Sequence, residues 1–373
     1  MENLVIKPTL ACTAKCPTCA SRRLLHKEAR QQQWLTFADW ERILTEAKNL
    51  GSFKLTISGG EPTLYKQLPD LIKLGRRFNW FIWLNSNGSF TQKENAEHYA
   101  EELIKSGLTL IDLSLYSPDP SVHDRMRASK GLWQKATAAF KIFSDLQPKY
   151  PDFTIISQSI LCHENYTDFA ELLALHYRLG SSGMLLSYLE GDFEKKHLFT
   201  EEEIHHFRNS IIPKAIKVCE EFDPYVKDIA ISNIRRIFSD KILDTVHWAK
   251  GIYRPDRGIC KIPQQQALIL ANGDVHPCNI VEYTHGPVMG NVFEHSLSEI
   301  YYGLAWQNFR HYLHEHCDLC AMNNHVYIPL RPPKEKLIAL LKAWMHKLHL
   351  QHVDKFMSRK VKVYKVRILN RLL

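Results

Sequence analysis

Over its first half the chain alternates short β-rich runs with longer stretches of helical period, and few folds accommodate that rhythm. Strand-like runs fall at Leu4–Lys7, Phe53–Ser58, Trp80–Asn85, Leu108–Leu113, Thr154–Leu161 and Met184–Leu189. Between them, Phe37–Leu50, Leu68–Phe78, Glu94–Lys105, Leu132–Asp145 and Tyr166–Leu179 repeat their apolar residues every three to four positions. Gly51, Gly107 and Gly180 stand where a helix would stop and hand over to the next strand. Six strands alternating with helices predict an α/β fold, a parallel sheet with helices outside it. Sheets of this kind carry their chemistry at the C-terminal ends of the strands.

The loop after the first strand holds three thiols within eight residues, Cys12, Cys16 and Cys19, spaced C-x3-C-x2-C. Three cannot close into disulfide pairs, and a structural zinc site wants a fourth ligand, for which His26 is the nearest candidate. Three thiolates suit a four-iron cluster that keeps one iron free of protein, because a closed cluster takes four. The loop after the second strand reads Gly59-Gly60-Glu61-Pro62. These two motifs, in this order and each behind a strand, resemble the radical S-adenosylmethionine (SAM) superfamily. Thr18 departs from the pattern, standing where many members carry an aromatic beside the adenine.

The resemblance implies a partial (β/α)6 TIM-like barrel over residues 1–195. It implies a [4Fe-4S] cluster on Cys12, Cys16 and Cys19, with SAM bound by Gly59, Gly60, Glu61 and Pro62 and by residues at later strand ends. Glu61 would receive the methionine amino group. Asn87 follows strand three in the run Asn85-Ser86-Asn87-Gly88 and joins the cofactor-binding set. Ser114, ending strand four, and Arg127, closing His123-Asp124-Arg125-Met126-Arg127, match the family's SAM contacts. A hydroxyl can bind the ribose and a guanidinium can pair with the methionine carboxylate; the competing reading of Arg127 is a helix-cap or surface arginine. Glu190, after strand six, is a candidate general base or a solvated loop residue. Cys162 reads as a small buried hydrophobe.

Residues 196–256 read as a helical bridge, with a capping start at Thr200, helices divided by Pro224, and Cys219 in the core. Residues 257–328 hold a second cysteine set, Cys260, Cys278, Cys317 and Cys320. Asn272-Gly273 is a tight-turn signal, so the first two cysteines would sit on opposite arms of a hairpin. A four-cysteine zinc ribbon fits this spacing. The pattern is also similar to the SPASM/Twitch auxiliary-cluster domain, in the shorter Twitch form, with one auxiliary [4Fe-4S] cluster. Four cysteines saturate such a cluster, which can then move electrons but has no iron open to substrate.

The net charge of +8 is unevenly placed. From Lys334 to Leu373 there are eleven Lys/Arg against two Asp/Glu, and the other residues carry 37 against 38. A body with no excess positive charge argues against nucleic-acid binding. In the tail, residues 329–373, Leu337, Leu340, Leu341, Trp344 and Leu348 share one helical face amid lysines. This is the pattern of a peripheral membrane contact, or of a helix packed on the auxiliary domain with its charges solvated. Nine cysteines, seven in metal-like spacings, with no secretion signal or membrane-length apolar run, predict a reducing cytoplasm, with membrane association through the tail as an added expectation.

The resemblance implies reductive cleavage of SAM to a 5′-deoxyadenosyl radical, hydrogen abstraction from substrate, and a flavodoxin- or ferredoxin-type electron donor. An auxiliary cluster able to take an electron points to a two-electron oxidation. The first cluster cysteine at residue 12 leaves no room for a leader-binding domain ahead of the barrel, so the expected substrate is a small molecule or a sugar or glycan conjugate. The alternative is a peptide- or protein-modifying maturase. From another class, the alternative is a non-catalytic metal-binding protein with structural zinc.

Overall fold

The computed structural model describes residues 1–19, 33–187, 189, 195–237, 262–279, 287–311 and 326–332. His26, Glu190, Cys260, Cys317, Cys320 and the basic tail from residue 333 lie outside the described residues. The six expected strands are present as β1 (Asn3–Lys7), β2 (Lys54–Ile57), β3 (Phe81–Ser86), β4 (Leu110–Ser114), β5 (Thr154–Ile160) and β6 (Gly183–Ser187). They pair in sequence order and all in parallel. Between them run α1 (Phe37–Asn49), α2 (Leu68–Arg77), α3 (Ala96–Lys105), α4 (Pro120–Arg127), α5 (Leu132–Leu146) and α6 (Phe169–Arg178).

Local chemistry sets the helix ends. Thr36 and Asp39 form a reciprocal capping box at the start of α1, and the buried face that follows is Trp40, Ile43, Leu44 and Ala47. Gly51, Gly107 and Gly180 end their helices with φ of 92°, 111° and 84°, in the left-handed region expected of them. Helix α4 is not among the helical stretches read from the sequence. Asp119 caps it, accepting from the N–H groups of Ser121 and Val122, and Pro120 opens it where no donor is needed.

Strand faces divide the core in two. Ile111 and Leu113 of β4 point outward into the main cluster with the helices, together with Leu4, Ile6, Leu55 and Ile57. Leu110 points inward and packs with Trp83, Ile156, Leu185 and Tyr327. Residues apolar on both faces are what a covered parallel sheet requires.

The later chain joins this sheet from both sides. Strand β7 (Gln266–Leu270) lies parallel to β1, with Val5 opposite Leu268 and Lys7 opposite Leu270. It turns back through Gly273, at φ 85°, into the antiparallel β8 (Asp274–His276), and β9 (Gly290–Asn291) follows. The hairpin expected from Asn272-Gly273 therefore exists, but its first arm is a strand of the barrel sheet rather than part of a detached unit. All five residues of β7 are buried, so this arm needs cover on both faces. At the other edge β10 (Val326–Pro329) pairs antiparallel with β6. The strand order is β10-β6-β5-β4-β3-β2-β1-β7-β8-β9.

Helices α7 (Glu201–His206), α8 (Ile212–Cys219) and α9 (Pro224–Ile237) follow, with Thr200 in a capping box and Pro224 opening α9. They share a second core with α6, β6 and β10 that includes Phe169, Met184, Phe207, Val226 and Ile328. Cys219 lies in that core at 0% exposure, as expected. None of the described helices is long and apolar enough to cross a membrane.

Candidate active site

The ends of β1 to β4 converge on the cysteine loop. Cys12 and Cys16 are half-buried, Cys19 is exposed, and none of the three is in a disulfide. The loop turns tightly: the Ala14 N–H donates to Cys12 Sγ at 3.4 Å, and the Cys19 N–H donates to the Cys16 carbonyl at 3.1 Å. Burial pushes the Cys12 thiol above its ordinary pKa, and the Ala14 N–H pulls the other way.

The Gly-Gly-Glu-Pro turn lies against this loop backbone to backbone. The N–H groups of Gly60 and Glu61 donate to the carbonyls of Thr9 and Ala11 at 2.9 and 2.8 Å. A Cβ on Gly59 would stand 2.3 Å from the Thr9 oxygen, and one on Gly60 would stand 2.2 Å from that of Leu10. Only glycine permits this approach.

Glu61 is held from inside the protein. Its side chain is fully buried. Oε1 accepts from the N–H and hydroxyl of Thr63 at 3.2 and 2.7 Å and from the Ser86 hydroxyl at 2.8 Å. Oε2 accepts from the Asn87 N–H at 2.8 Å. Three of the four donors thus fall on Oε1 and one on Oε2. The carboxylate ties the turn after β2 to the end of β3.

Asn87 continues that tie. Its Nδ2 donates to Thr13 Oγ1 at 3.1 Å and to Cys12 Sγ at 3.7 Å, while its Oδ1 accepts from the Ser89 N–H at 2.9 Å. The Thr13 hydroxyl donates in turn to Ser89 at 2.8 Å. Asn87 thus reaches the first cysteine directly.

Arg127 ends α4 at the same place. Its carbonyl accepts from the Lys15 N–H at 3.1 Å, so the helix is fastened to the cysteine loop. The guanidinium is 7% exposed and lies 4.5 Å over the Tyr116 ring, and its Nε–H has no partner among the described residues. Burial works against its charge, but Cys16, Tyr116, Cys12 and Cys19 around it hold its pKa above the ordinary arginine value. That company contradicts the surface-arginine alternative. Burial pushes the Tyr116 phenol up to about 12.

Two further residues of the His-Asp segment are structural. Buried His123 accepts the Tyr116 N–H through Nδ1 at 3.1 Å. Asp124 accepts from the N–H groups of Gly131 and Trp133 and so caps α5. Cys162 is buried as expected, and its thiol donates to Glu164 at 2.9 Å. Glu164 also bonds His197. Of the second cysteine set only Cys278 is described; it is buried just past β8.

The sequence reading thus brings together Cys12, Cys16, Cys19, Gly59, Gly60, Asn87, Ser114 and Arg127 at one end of the sheet. It misses Tyr116, although an aromatic two residues past Ser114 continues the strand's alternation, and it misses the Thr63–Ser86 pair that engages Glu61. The arrangement suits an iron–sulfur cluster with a small zwitterionic ligand. Three thiols outside any disulfide share one loop, a glycine cradle admits close approach, and a buried guanidinium keeps a donor in reserve.

Residues 6–176 match the model of the radical SAM superfamily, and residues 260–321, which hold all four later cysteines, match that of the SPASM iron–sulfur cluster-binding domain. A PqqA peptide cyclase of Streptomyces rochei is 31% identical over 138 residues, 37% of this chain and 36% of that protein. Another, from Gluconobacter oxydans, is 25% identical over 188 residues, 50% of this chain and 49% of that protein. The chain spans about half the length, or less, of these curated relatives. The crystal structure of Streptococcus suis SuiB bound to S-adenosylmethionine has the same fold, with a TM-score of 0.58 at 19% identity, covering 83% of this chain and 65% of that one. The chain belongs to the radical SAM superfamily and carries a SPASM-type auxiliary domain, so that its cofactors are [4Fe-4S] clusters and S-adenosylmethionine.

Proposed function

We propose that this chain is a radical SAM enzyme that modifies a peptide or protein by a two-electron oxidation, such as a crosslink between side chains. The observation that carries the substrate class is its identity with the PqqA peptide cyclases. The small-molecule or glycan oxidation expected from the sequence gives way to its alternative. The argument behind it, a lack of room ahead of residue 12, concerns where the chain begins and says nothing about a substrate.

When bound, the barrel cluster with SAM supplies hydrogen-atom abstraction, and the auxiliary cluster supplies a one-electron acceptor. Cys12, Cys16 and Cys19 ligate the first, and Cys260, Cys278, Cys317 and Cys320 the second. Arg127 pairs its free Nε–H side with the methionine carboxylate, held in place by the Tyr116 ring. Ser114 offers its hydroxyl to the ribose. Asn87 fixes the Cys12 side of the loop, Gly59 and Gly60 admit the close turn, Pro62 opens the turn that follows, and Glu61 braces it from inside. Glu190 is a candidate general base after β6. A flavodoxin- or ferredoxin-type protein serves as electron donor.

Co-expression with each short open reading frame flanking its gene, followed by mass spectrometry of the encoded peptides, tests this reading. The wild type is expected to remove the mass of two hydrogen atoms from one peptide, and a Cys12/Cys16/Cys19→Ala variant to remove none. Unchanged peptides together with an oxidised alcohol or glycan would overturn the substrate class.

A further inference from the structure

Inside the barrel, directly beneath the cofactor end, one carboxylate has been left without work to do in the fold. The inner floor is apolar, made by Trp83, Leu110, Ile156, Leu185 and Tyr327. Side chains alternate along a strand, so the next inward residue above Leu110 on β4 is Asp112, and above Trp83 on β3 it is Asn85. These two are opposite each other in register. Asp112 is 1% exposed, and neither of its carboxylate oxygens has a hydrogen-bond partner among the described residues. The Asn85 Oδ1 beside it is likewise buried and unpartnered. Buried Lys7 and half-buried Lys54, on this same face, make no hydrogen bond to Asp112 and have interactions of their own. Lys54 lies 4.3 Å over the Trp83 ring.

The contrast with Glu61 is informative. That carboxylate, equally buried, holds four donors. Burial holds the Asp112 carboxyl well above the ordinary range, and the Trp83 indole opposes the rise without closing a hydrogen bond. A buried carboxylate with no partner costs stability, and a fold keeps one where a ligand completes it. Ser114 is two residues further along β4 on the same face, roughly 7 Å away. Asp112 therefore lies where a substrate would sit below SAM.

We propose that Asp112 and Asn85 form a receiving site for a positively charged nitrogen of the substrate, a primary ammonium or a guanidinium group. The inference rests on the reading that substrate enters the barrel beside SAM, not on its being a peptide. Two carboxylate oxygens and an amide oxygen form an acceptor set that matches the several donors of such a cation. Arrival of the cation releases the Asp112 proton to solvent and pairs the carboxylate with an opposite charge, which a neutral ligand cannot do.

The test uses the full chain reconstituted with its clusters and SAM, probed by n-butylammonium and by 1-butanol as the neutral control, with saturation-transfer NMR reading affinity. The wild type is expected to bind butylammonium about tenfold more tightly than 1-butanol, and Asp112→Asn to erase that preference while leaving SAM affinity unchanged. Asp112→Leu is expected to melt at or above the wild-type temperature, because an unpaired buried carboxyl is removed. Equal binding of the two probes by the wild type, or an unchanged preference in Asp112→Asn, overturns the proposal. So does a loss of SAM affinity in Asp112→Asn, which would assign the carboxylate to the cofactor. A markedly lower melting temperature for Asp112→Leu would make Asp112 a structural residue and overturns it too. No peptide enters these measurements, so the fate of the peptide reading is decided separately.

Discussion

Replacing Gly60 by alanine would put a methyl group 2.2 Å from the Leu10 oxygen and 2.3 Å from that of Ala11. Both atoms are backbone of the cysteine loop, so the loop must move rather than a side chain swing aside. The expected outcome is a variant with wild-type circular dichroism whose iron content after reconstitution drops by about half, because only the barrel cluster is lost. Wild-type iron content would show that the loop tolerates the shift. The need for glycine here is legible in the motif. The inward direction of Glu61 is not, because a turn glutamate reads the same on paper whether it faces solvent, a ligand or the Thr63 and Ser86 hydroxyls. Asp112 and Glu61 are the same kind of group at equal burial, and only their neighbours separate a brace from a receptor.

Among the elements, α4 shows how a short segment does two jobs. Its C-terminal Arg127 carries the guanidinium beside the thiols, and its Asp124 reaches past the turn to cap α5. Asp124→Ala is expected to cost about 1 kcal/mol of stability, read as a lowered denaturation midpoint. SAM affinity should weaken as well, since the cap fixes the turn that positions Arg127. A stability loss with unchanged SAM affinity would make the cap purely structural. Helices with a sustained apolar period, such as α1 and α6, are readable from sequence. Helix α4 is not, because eight residues with two prolines nearby carry too little periodicity. The Asp119 cap and Pro120 are its only local signals.

At the scale of the whole molecule, two buried histidines link stability to pH. Burial drives both His123 and His176 down to about 3. Each stays neutral in the native state while the unfolded chain takes up a proton near its ordinary pKa of about 6.5. The unfolded state therefore binds more protons below that value, and native stability is lost as pH falls through it. Between pH 7.5 and pH 6.0 the pair is expected to cost about 1.5 kcal/mol, measured as a shift of the denaturant midpoint. A His123→Asn/His176→Asn variant should show a flatter profile, and an equal slope in that variant would remove these residues from the explanation.

The same scale separates what the chain declares from what the fold decides. The alternation of strands and helices, the helix stops, the Thr36 and Thr200 caps, the three-cysteine loop and the glycine turn all follow from residues within a few positions of one another. Short-range sterics and hydrogen bonding specify them, and the sequence alone determines them. The pairing of β7 with β1 joins residues more than 250 positions apart, and β10 closes on β6 from 140 or more positions away. The isolation of Asp112, the occupation of Glu61 and the closeness of Arg127 to the thiols depend on such long-range neighbours. Those neighbours are chosen by burial of two-sided apolar strands across the whole sheet, a choice that no local pattern encodes and only the tertiary structure makes.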